Sequence, residues 1–230
     1  IGEIGNAFTG DMLPITPILG LTIAKLTDIL IPGQDIEDDE SLRSKYDENL
    51  ESMAFGGNQA EYKKKTKELA GVGGVKVYPV FYGGGTVKLV IIDSTYNKPS
   101  IILVEEVQTA IDPIPNQGEG LGLAPIDHIV TVEGVDELVI NIVSQITLVP
   151  GYAWEDVEAY IIEAVNEYFL TLKKTWEDEE NLVVRISQIE NAILHVTGIL
   201  DIQNTVLNGS VTNLILNGNQ IPVLGTVTQA

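Results

Sequence analysis

The chain has 230 residues, 44% of them hydrophobic, and this size and composition predict one or two globular domains with buried cores. Its 33 acidic and 13 basic residues give a formal charge of -20, which disfavours nucleic acid as a partner because phosphate contacts need clustered Lys and Arg. Cysteine is absent, which excludes disulfides, zinc thiolate sites and thiol catalysis and favours folding in a reducing cytoplasm.

The best candidate for a membrane-crossing helix begins at Ile18 and reads ILGLTIAKLTDILI. Lys25 and Asp28 interrupt this stretch before it reaches the roughly 18 to 20 apolar residues that a spanning helix needs. We therefore expect no membrane partner.

Residues 1–34 are rich in Ile, Leu, Thr, Pro and Gly. Their short β-prone runs are punctuated by Pro14, Pro17 and Pro32, which predicts a β-rich segment of irregular strands. Because the chain begins at Ile1 and not at methionine, we expect this segment to be the end of a truncated upstream domain.

Two helices are predicted at the start of a first α/β unit, residues 35–133. The first follows the acidic run DIEDDE, and its apolar face is formed by Leu42, Tyr46, Leu50 and Met53. The second begins at Asn58, whose side chain caps free amides while Glu61 reaches back, and Gly71 follows its end. Its inward residues are Tyr62, Thr66 and Leu69.

The segments VKVYPVFY and TVKLVIID predict a β-hairpin around the glycines at 83–85. Pro79 indicates that the first of these strands lies at a sheet edge or is bulged, since proline has no amide hydrogen to donate. A helix opening near Ser100 and closed by Asp112 follows, with Leu103, Val107, Ala110 and Ile111 inward. The strand IVTVEGV comes after His128.

The second α/β unit, residues 134–230, begins with the alternating strand ELVINIVSQITLV. The longest helix starts near Trp154 and has acids first and lysines last, as the helix dipole favours. Its inward residues are Val157, Ile161, Val165, Tyr168 and Leu172. A further helix is predicted from a Ser187–Glu190 capping box to Gly198, with Ile189, Ile193 and Val196 inward. Two strands follow around Asn208-Gly209.

The two units share a pattern in which a capped helix is followed by a hairpin, at 58–91 and again at 187–216. Duplication and chance similarity both stay open. The predicted fold class is α+β, with mixed or antiparallel sheets, packed helices and the β-rich segment in front.

The stretch Asn116–Ile126, NQGEGLGLAPI, has glycine at every second position from Gly118 to Gly122 and raises the question of a phosphate-binding loop. A dinucleotide loop needs GxGxxG between a strand and a helix, whereas this motif follows a helix and precedes a strand. Gly-Lys-Ser and Gly-Lys-Thr are absent, and Glu119 repels phosphate. We interpret the motif as a structural joint.

Three acidic residues, Asp35, Glu37 and Asp39, resemble the alternating ligands of a calcium loop. Glu40 stands where glycine is needed and Tyr46 where a bidentate glutamate is needed, so the pattern favours helix-start acids instead. The acidic run WEDEEN at Trp176 is interpreted as a solvated loop. We predict no metal site.

Only His128 and His195 are candidates for bases at neutral pH, and no nucleophilic serine motif or cysteine lies near either in sequence. His195 is explained by the helix dipole, and no two carboxylates stand out as a catalytic pair. Asn208-Gly209-Ser210 matches a glycosylation sequon, but Asn-Gly has a conformational reason to occupy a turn. We predict no catalytic or cofactor-binding residues and no cofactor.

A succession of motifs runs through almost the whole chain. In order they are GEIGNAFTG, IEDDESLRSKYDENL, AFGGNQAEYKKKTKELAGVGGVKVYP, GGGTVKLVIID, GEGLGLAPIDHIVTV, and LNG before IPVLGTV. This succession resembles the baseplate J-like proteins of contractile phage tails. The resemblance is most specific in DDESLRSKY, GGNQAEYKKKTKELAGVGGVKVYP and GEGLGLAPI. The sequence departs from the family at Asp127-His128, where small residues are usual, and at Gly33-Gln34, where a glycine pair is common.

The resemblance implies a structural baseplate wedge subunit without enzymatic activity, in a virion or tail-like particle assembled in the bacterial host cytoplasm. The implied partners are other copies of the chain, other wedge proteins, the hub or spike, and sheath-proximal proteins. Phage, prophage and bacteriocin origins stay open. An alternative is a tail-associated carbohydrate-binding or glycan-hydrolysing module, motivated by the many acids and by Tyr152, Trp154 and Trp176.

Overall fold

The computed structural model describes residues 2–43, 46 and 56–229. The chain divides into two compact units, Ile1–Gly134 (unit 1) and Val135–Ala230 (unit 2). Each unit packs helices on a three-stranded mixed sheet, which confirms the α+β fold class. The division into residues 1–34, 35–133 and 134–230 stays a prediction.

The N-terminal segment contains a 3-10 helix, Glu3–Ala7, and an antiparallel ribbon of β1 (Gly10–Asp11) and β2 (Lys25–Leu26). The Asn6 side chain ties the two ends of the segment together, since it accepts from the Gly33 amide at 2.7 Å and donates to the Gly33 carbonyl at 2.8 Å. Ile31 packs against the core of unit 1. Strand structure in this segment is confined to the ribbon among its described residues.

The helix predicted after DIEDDE is present at residues 39–43. The Asp38 carboxylate accepts from the Ser41 amide at 2.7 Å and so caps its first turn. Leu50 and Met53, two residues of its predicted apolar face, lie outside the described residues.

The sheet of unit 1 has the order β3-β4-β5, formed by Val72–Pro79, Thr86–Asp93 and Ile129–Gly134. β3 and β4 form the predicted antiparallel hairpin, and β3 lies at the edge as Pro79 indicates. β4 and β5 are parallel and are joined through a helix and the glycine-rich stretch. Helices α1 (Gln59–Lys67) and α2 (Ile101–Ile111) pack on β3 and β5 respectively. The core includes Tyr62, Val75, Leu89, Ile91, Leu103, Val107, Ile111 and Val130.

The predicted cap of α1 is confirmed, because the Asn58 side chain accepts from the Glu61 amide at 2.8 Å. The Glu61 carboxylate binds the amide of Gly57, one residue earlier than a standard capping box. Gly57 has φ +88, which turns the chain back over the first helical turn. The hydrogen bond from Lys65, followed by that from Gly57, lowers the pKa of Glu61.

The buried Tyr62 of α1 lies against His128, which directly precedes β5. Its hydroxyl is 2.8 Å from His128 Nδ1, and the two rings stack with centroids 6.0 Å apart. Burial raises the pKa of Tyr62 to about 12, with smaller contributions from the negative charges of Asp112 and Glu61.

The outer edge of β5 is hydrogen-bonded by side chains of α2 and its cap. Gln108 donates to the Val130 carbonyl at 3.0 Å and accepts from the Val132 amide at 2.8 Å. The Asp112 carboxylate accepts from the Val130 amide at 2.8 Å and from the Gly118 amide at 3.0 Å. Both side chains are buried, so these bonds satisfy backbone groups that water does not reach.

The sheet of unit 2 has the order β10-β6-β8, formed by Gln220–Gln229, Asp136–Leu148 and Ile199–Leu207. β6 is parallel to β10 and antiparallel to β8, and its side chains alternate between buried and exposed as predicted. Helices α3 (Trp154–Lys174) and α4 (Ile186–Leu194) contact β10 and β8. A separate pair joins β7 (Val183–Val184) to β9 (Leu214–Ile215).

Helix α3 begins at the predicted residue and buries Val157, Ile161 and Val165 as expected. Tyr168 and Leu172 are only half-buried, and Phe169 is fully buried beside them. Helical spacing permits either neighbour inside, and the packing of unit 2 selects the phenylalanine.

The predicted Ser187–Glu190 capping box is wrong. The N-cap of α4 is Arg185, and Ser187 already lies within the first turn. The Ile186 amide is instead bound by the side chain of Asn213 at 3.0 Å. A distant residue therefore caps this helix, and local sequence gives no signal of it.

The predicted hairpin around Asn208-Gly209 is also wrong. Both residues have positive φ, as an Asn-Gly turn requires, but only a single bridge from Leu207 to Ser210 follows in the described chain. β8 pairs with β6, where its apolar face is buried. The proposed repeat of a helix and hairpin therefore does not extend to unit 2, although both sheets have a central strand with one parallel and one antiparallel neighbour.

Replacing Gln108 by leucine should destabilise unit 1 by roughly 1 to 3 kcal/mol, because the Val132 amide loses its buried partner. Chemical denaturation followed by circular dichroism measures the loss. Glu106→Leu, on the exposed side of α2, is the matched control and should change stability by no more than about 0.5 kcal/mol. Equal effects of the two substitutions would contradict the role of Gln108.

Tyr62 should ionise late in an alkaline titration of tyrosinate absorbance. Its pKa in the folded chain, about 12, lies above its ordinary value of 10.0, so its contribution to stability is complete below pH 10.0 and is lost as pH rises through about 12. Tyr62→Phe should reduce this late component, to which Tyr78 and Tyr168 also contribute because burial raises their pKa values, whereas Tyr82→Phe, at an exposed position, should leave it. An unchanged late component in Tyr62→Phe would refute the assignment.

Candidate functional site

The glycine-rich stretch Asn116–Ile126 connects the end of α2 to β5, as the sequence predicts. Gly120 has φ +70, which favours glycine. At Gly122 a Cβ atom would lie 2.4 Å from the Ile111 carbonyl oxygen, so only glycine lets this segment pass so close to the helix end.

Several amides of this stretch donate to groups within unit 1. Those of Leu123 and Ala124 bind the carbonyls of Ala110 and Ile111 at 3.0 and 2.8 Å, and the Gly118 amide binds Asp112. A phosphate-binding loop needs its amides converging on an open site. The stretch instead satisfies the last carbonyls of α2, which makes it a structural joint.

Two of the acidic residues near position 37 accept hydrogen bonds. Asp35 accepts from the Glu3 amide at 2.7 Å, and Glu37 accepts from the Ser41 hydroxyl at 2.8 Å. Among residues 2–43, 46 and 56–229, no three His, Asp or Glu residues are grouped as a metal site requires. Within that same part of the chain, no helix has the length and apolar character needed to cross a membrane.

The two histidines lie in different units and have different neighbours. His128 in unit 1 contacts Tyr62, as described above. His195 is the C-cap of α4, and its Nδ1 lies 2.7 Å from the Asn191 carbonyl. This position agrees with the dipole interpretation of His195.

A cleft of about 660 Å³ lies beside α3 and the end of α4 in unit 2. It is lined by Tyr152, Asp156, Tyr160, Glu163, Ala164, Glu167, His195, Val196 and Thr197. Its volume is within the range of small-molecule sites, but its lining is more acidic than such sites usually are. Asp156 is used structurally, since it accepts from the Ala153 amide at 2.8 Å at the start of α3.

Of the three aromatic residues considered for sugar binding, only Tyr152 lines this cleft. Trp176 was placed in a solvated loop by sequence, but it is fully buried and its indole Nε1 donates to the Gly218 carbonyl at 3.0 Å. It therefore cannot stack on a sugar. Trp154 is half-buried at the first residue of α3. The cleft is also lined by three residues of α3, which are Tyr160, Glu163 and Glu167. Their helical spacing places them on one face of α3, and this spacing is the sequence signal that could have grouped them.

The sequon asparagine, Asn208, uses its side chain to hold β6. Its Oδ1 accepts from the Asn141 amide at 2.8 Å and its Nδ2 donates to the Val139 carbonyl at 3.0 Å. The side chain is thus engaged within unit 2, and the residue serves the turn and the sheet.

The chain matches two family models that divide at nearly the same place as the two units. Residues 54–134 match the model described as the baseplate J-like central domain. Residues 140–230 match the model described as the baseplate J-like protein C-terminal domain.

Two relatives carry names that refer to phage elements. The phage-like element PBSX protein XkdT of Bacillus subtilis (strain 168) is 37% identical over 228 residues, covering 98% of this chain and 64% of that protein. Baseplate protein gp47 of Escherichia phage Mu is 34% identical over 88 residues, covering 37% of this chain and 24% of that protein. The chain thus spans 64% of the length of the Bacillus relative.

A chain in the cryo-EM structure of the anti-feeding prophage (AFP) baseplate, 6-fold symmetrised, shares the fold with a TM-score of 0.55 at 10% identity. The match covers 96% of this chain and 48% of that one. The family models together with the similarity to the Bacillus relative over nearly the whole chain show that this protein belongs to the baseplate J-like family.

Proposed function

We propose that this chain is a structural wedge subunit in the baseplate of a contractile phage tail or tail-like particle. The observation that carries the proposal is the match of both units to baseplate J-like domains. The name of the phage Mu relative, a baseplate protein, supports it. The partners we propose are further copies, other wedge proteins, the hub or spike and sheath-proximal proteins, with assembly in the bacterial host cytoplasm.

The distinctive motifs of the chain support a structural role because their groups are used inside the fold. The glycine-rich stretch binds the end of α2, and Asn208 binds β6. Gln108 and Asp112 are buried and bind the β5 backbone. These groups fix the backbone geometry, so in these motifs they are not available to act on a substrate. We therefore propose that the chain has no enzymatic activity.

As mechanism, we propose that each unit acts as a rigid block that docks onto neighbouring subunits and moves as a body when the baseplate rearranges. Each unit has its own buried core, so it can carry load through its surface without repacking inside. Neighbouring copies should therefore change their relative orientation between extended and contracted particles. A fixed orientation would rule out this mechanism.

Particles produced from a tail gene cluster lacking this chain should have no complete baseplate in negative-stain images, and wild-type chain supplied in trans should restore it. The matched control restores the deletion with Tyr82→Phe, a change at an exposed residue, which should act as wild type. Intact, contraction-competent baseplates without the chain would refute the proposed function.

The cleft in unit 2 makes the glycan alternative testable. Under the structural proposal, the purified chain should neither bind nor cleave bacterial cell-wall glycan, as measured by pull-down and by release of soluble fragments. Glycan cleavage that is lost in Glu163→Gln/Glu167→Gln and retained in Glu119→Gln, outside the cleft, would instead favour a hydrolase.

A further inference from the structure

The dipeptide Asn-Gly occurs twice in the chain, at Asn208-Gly209 and at Asn217-Gly218, and leucine precedes the asparagine both times. Both asparagines are exposed, and both lie in unit 2. Asparagine followed by glycine is prone to spontaneous deamidation, because glycine has no Cβ to keep its backbone nitrogen away from the asparagine side chain. The local sequences give no reason for one pair to react before the other, so the fold has to decide between them.

The side chain of Asn208 is held against β6 at both ends of its amide. Its Oδ1 accepts from the Asn141 amide at 2.8 Å, and its Nδ2 donates to the Val139 carbonyl at 3.0 Å. The side chain must leave β6 before its Cγ can turn toward the Gly209 nitrogen. Two hydrogen bonds of ordinary net strength together shift such an opening equilibrium by at least about tenfold.

The side chain of Asn217 is not held in this way. Within the part of the chain that the structure describes, its amide group has no hydrogen-bond partner, and only its backbone is engaged. The Asn217 backbone amide donates to Gln220 Oε1 at 3.1 Å, and its carbonyl accepts from the Gln220 amide at 2.9 Å. Asn217 is thus the first residue of a β-turn, and its side chain can rotate so that Cγ approaches the Gly218 nitrogen.

We propose that Asn217-Gly218 is a site of spontaneous deamidation in the folded chain and that the fold protects Asn208-Gly209 from the same reaction. The Gly218 backbone nitrogen, after losing its proton to the solvent, attacks Asn217 Cγ. A bond forms between these two atoms, the Cγ–Nδ2 bond breaks, and Nδ2 takes up a proton and leaves as ammonia. The product is a cyclic succinimide.

Water then opens the succinimide at either of its carbonyl carbons. Attack at Cγ restores the normal main chain and leaves aspartate at position 217. Attack at the backbone carbonyl carbon leaves isoaspartate, in which the main chain runs through Cγ. Over both steps the asparagine amide and water become a carboxyl group and ammonia, and nothing is oxidised or reduced. The reaction needs only the chain and water, so it is independent of the proposed assembly function.

The turn that contains this site also holds part of the core of unit 2. The Gly218 carbonyl accepts from the indole Nε1 of the buried Trp176 at 3.0 Å, and the Asn219 carbonyl accepts from the Asp136 amide at 2.8 Å. β10 begins at the next residue, Gln220. Isoaspartate lengthens the main chain by a methylene group just before these residues, so it should loosen the hydrogen bond that anchors Trp176.

Incubation of the purified chain in mildly alkaline buffer, sampled over time, tests the proposal. Trypsin releases residues 186–230 as one peptide, because no Lys or Arg follows Arg185, and tandem mass spectrometry assigns the mass increase to one asparagine or the other. In the folded chain Asn217 should deamidate at least about tenfold faster than Asn208. The same chain unfolded in urea is the matched control, in which the two asparagines should react at similar rates.

The variant Asn217→Gln separates the reaction from its consequence. Its longer side chain would have to close a larger ring, so the incubated variant should show no mass increase at position 217. Deuterium exchange of the Trp176 indole hydrogen, followed by NMR with the Trp154 indole as reference, should be faster in incubated wild type than in this variant. Asn217→Asp carries the added charge on a normal main chain and should exchange as unincubated wild type does. Circular dichroism checks that each sample is folded.

Asn208 reacting as fast as Asn217 in the folded chain, or an Asn217 that reacts only in urea, would overturn the proposal. A preference for Asn217 that persists in urea would also overturn it, because local sequence and not the fold would then be the cause. Unchanged exchange of the Trp176 indole in a sample rich in isoaspartate would refute the effect on the turn. None of these results alters the outcome of deleting the chain from a tail gene cluster, which tests the proposed function separately.

Discussion

The fold of unit 1 depends on the closure of its β5 edge by the side chains of Gln108 and Asp112. An edge strand presents unpaired amides and carbonyls that otherwise pair with another chain or with water. Here α2 lies against the edge. Gln108 supplies both a donor and an acceptor to the β5 backbone, and Asp112 supplies an acceptor. The sheet is thereby complete with three strands, and the helix is fixed in its position along β5.

The glycine-rich stretch follows from the same constraint. Because Asp112 binds β5 and also the Gly118 amide, the chain leaving α2 must turn back close to the helix end. It then runs so near Ile111 that a side chain at Gly122 would overlap the carbonyl. The alternating glycines, which look like a phosphate-binding motif in sequence, are thus required by how closely the backbone packs.

Local signals in the sequence predicted the elements whose determinants are local. The Asn58 cap, the hairpin of β3 and β4, the edge position marked by Pro79 and the start of α3 are each set within a few residues. The errors arose where the partner is distant in sequence. The side chain of Asn213 caps α4 in place of the expected Ser187. β8 pairs with β6 instead of forming the expected hairpin. Trp176, expected in a solvated acidic loop, is buried in the core of unit 2. In the candidate site, the sequence identified His195 as a possible base and Tyr152 as a possible sugar-binding aromatic. Only the packing of α3 against α4 brings the two residues into one cleft.

The burial of Trp176 also determines what tryptophan fluorescence reports about the unfolding of this chain. Both tryptophans, Trp154 and Trp176, belong to unit 2, so unit 1 emits from tyrosine alone. Tryptophan emission therefore follows the opening of unit 2, while the far-ultraviolet circular dichroism follows both units together. The separation between the two unfolding curves measures whether the halves of the chain melt as one cooperative structure or as two independent ones.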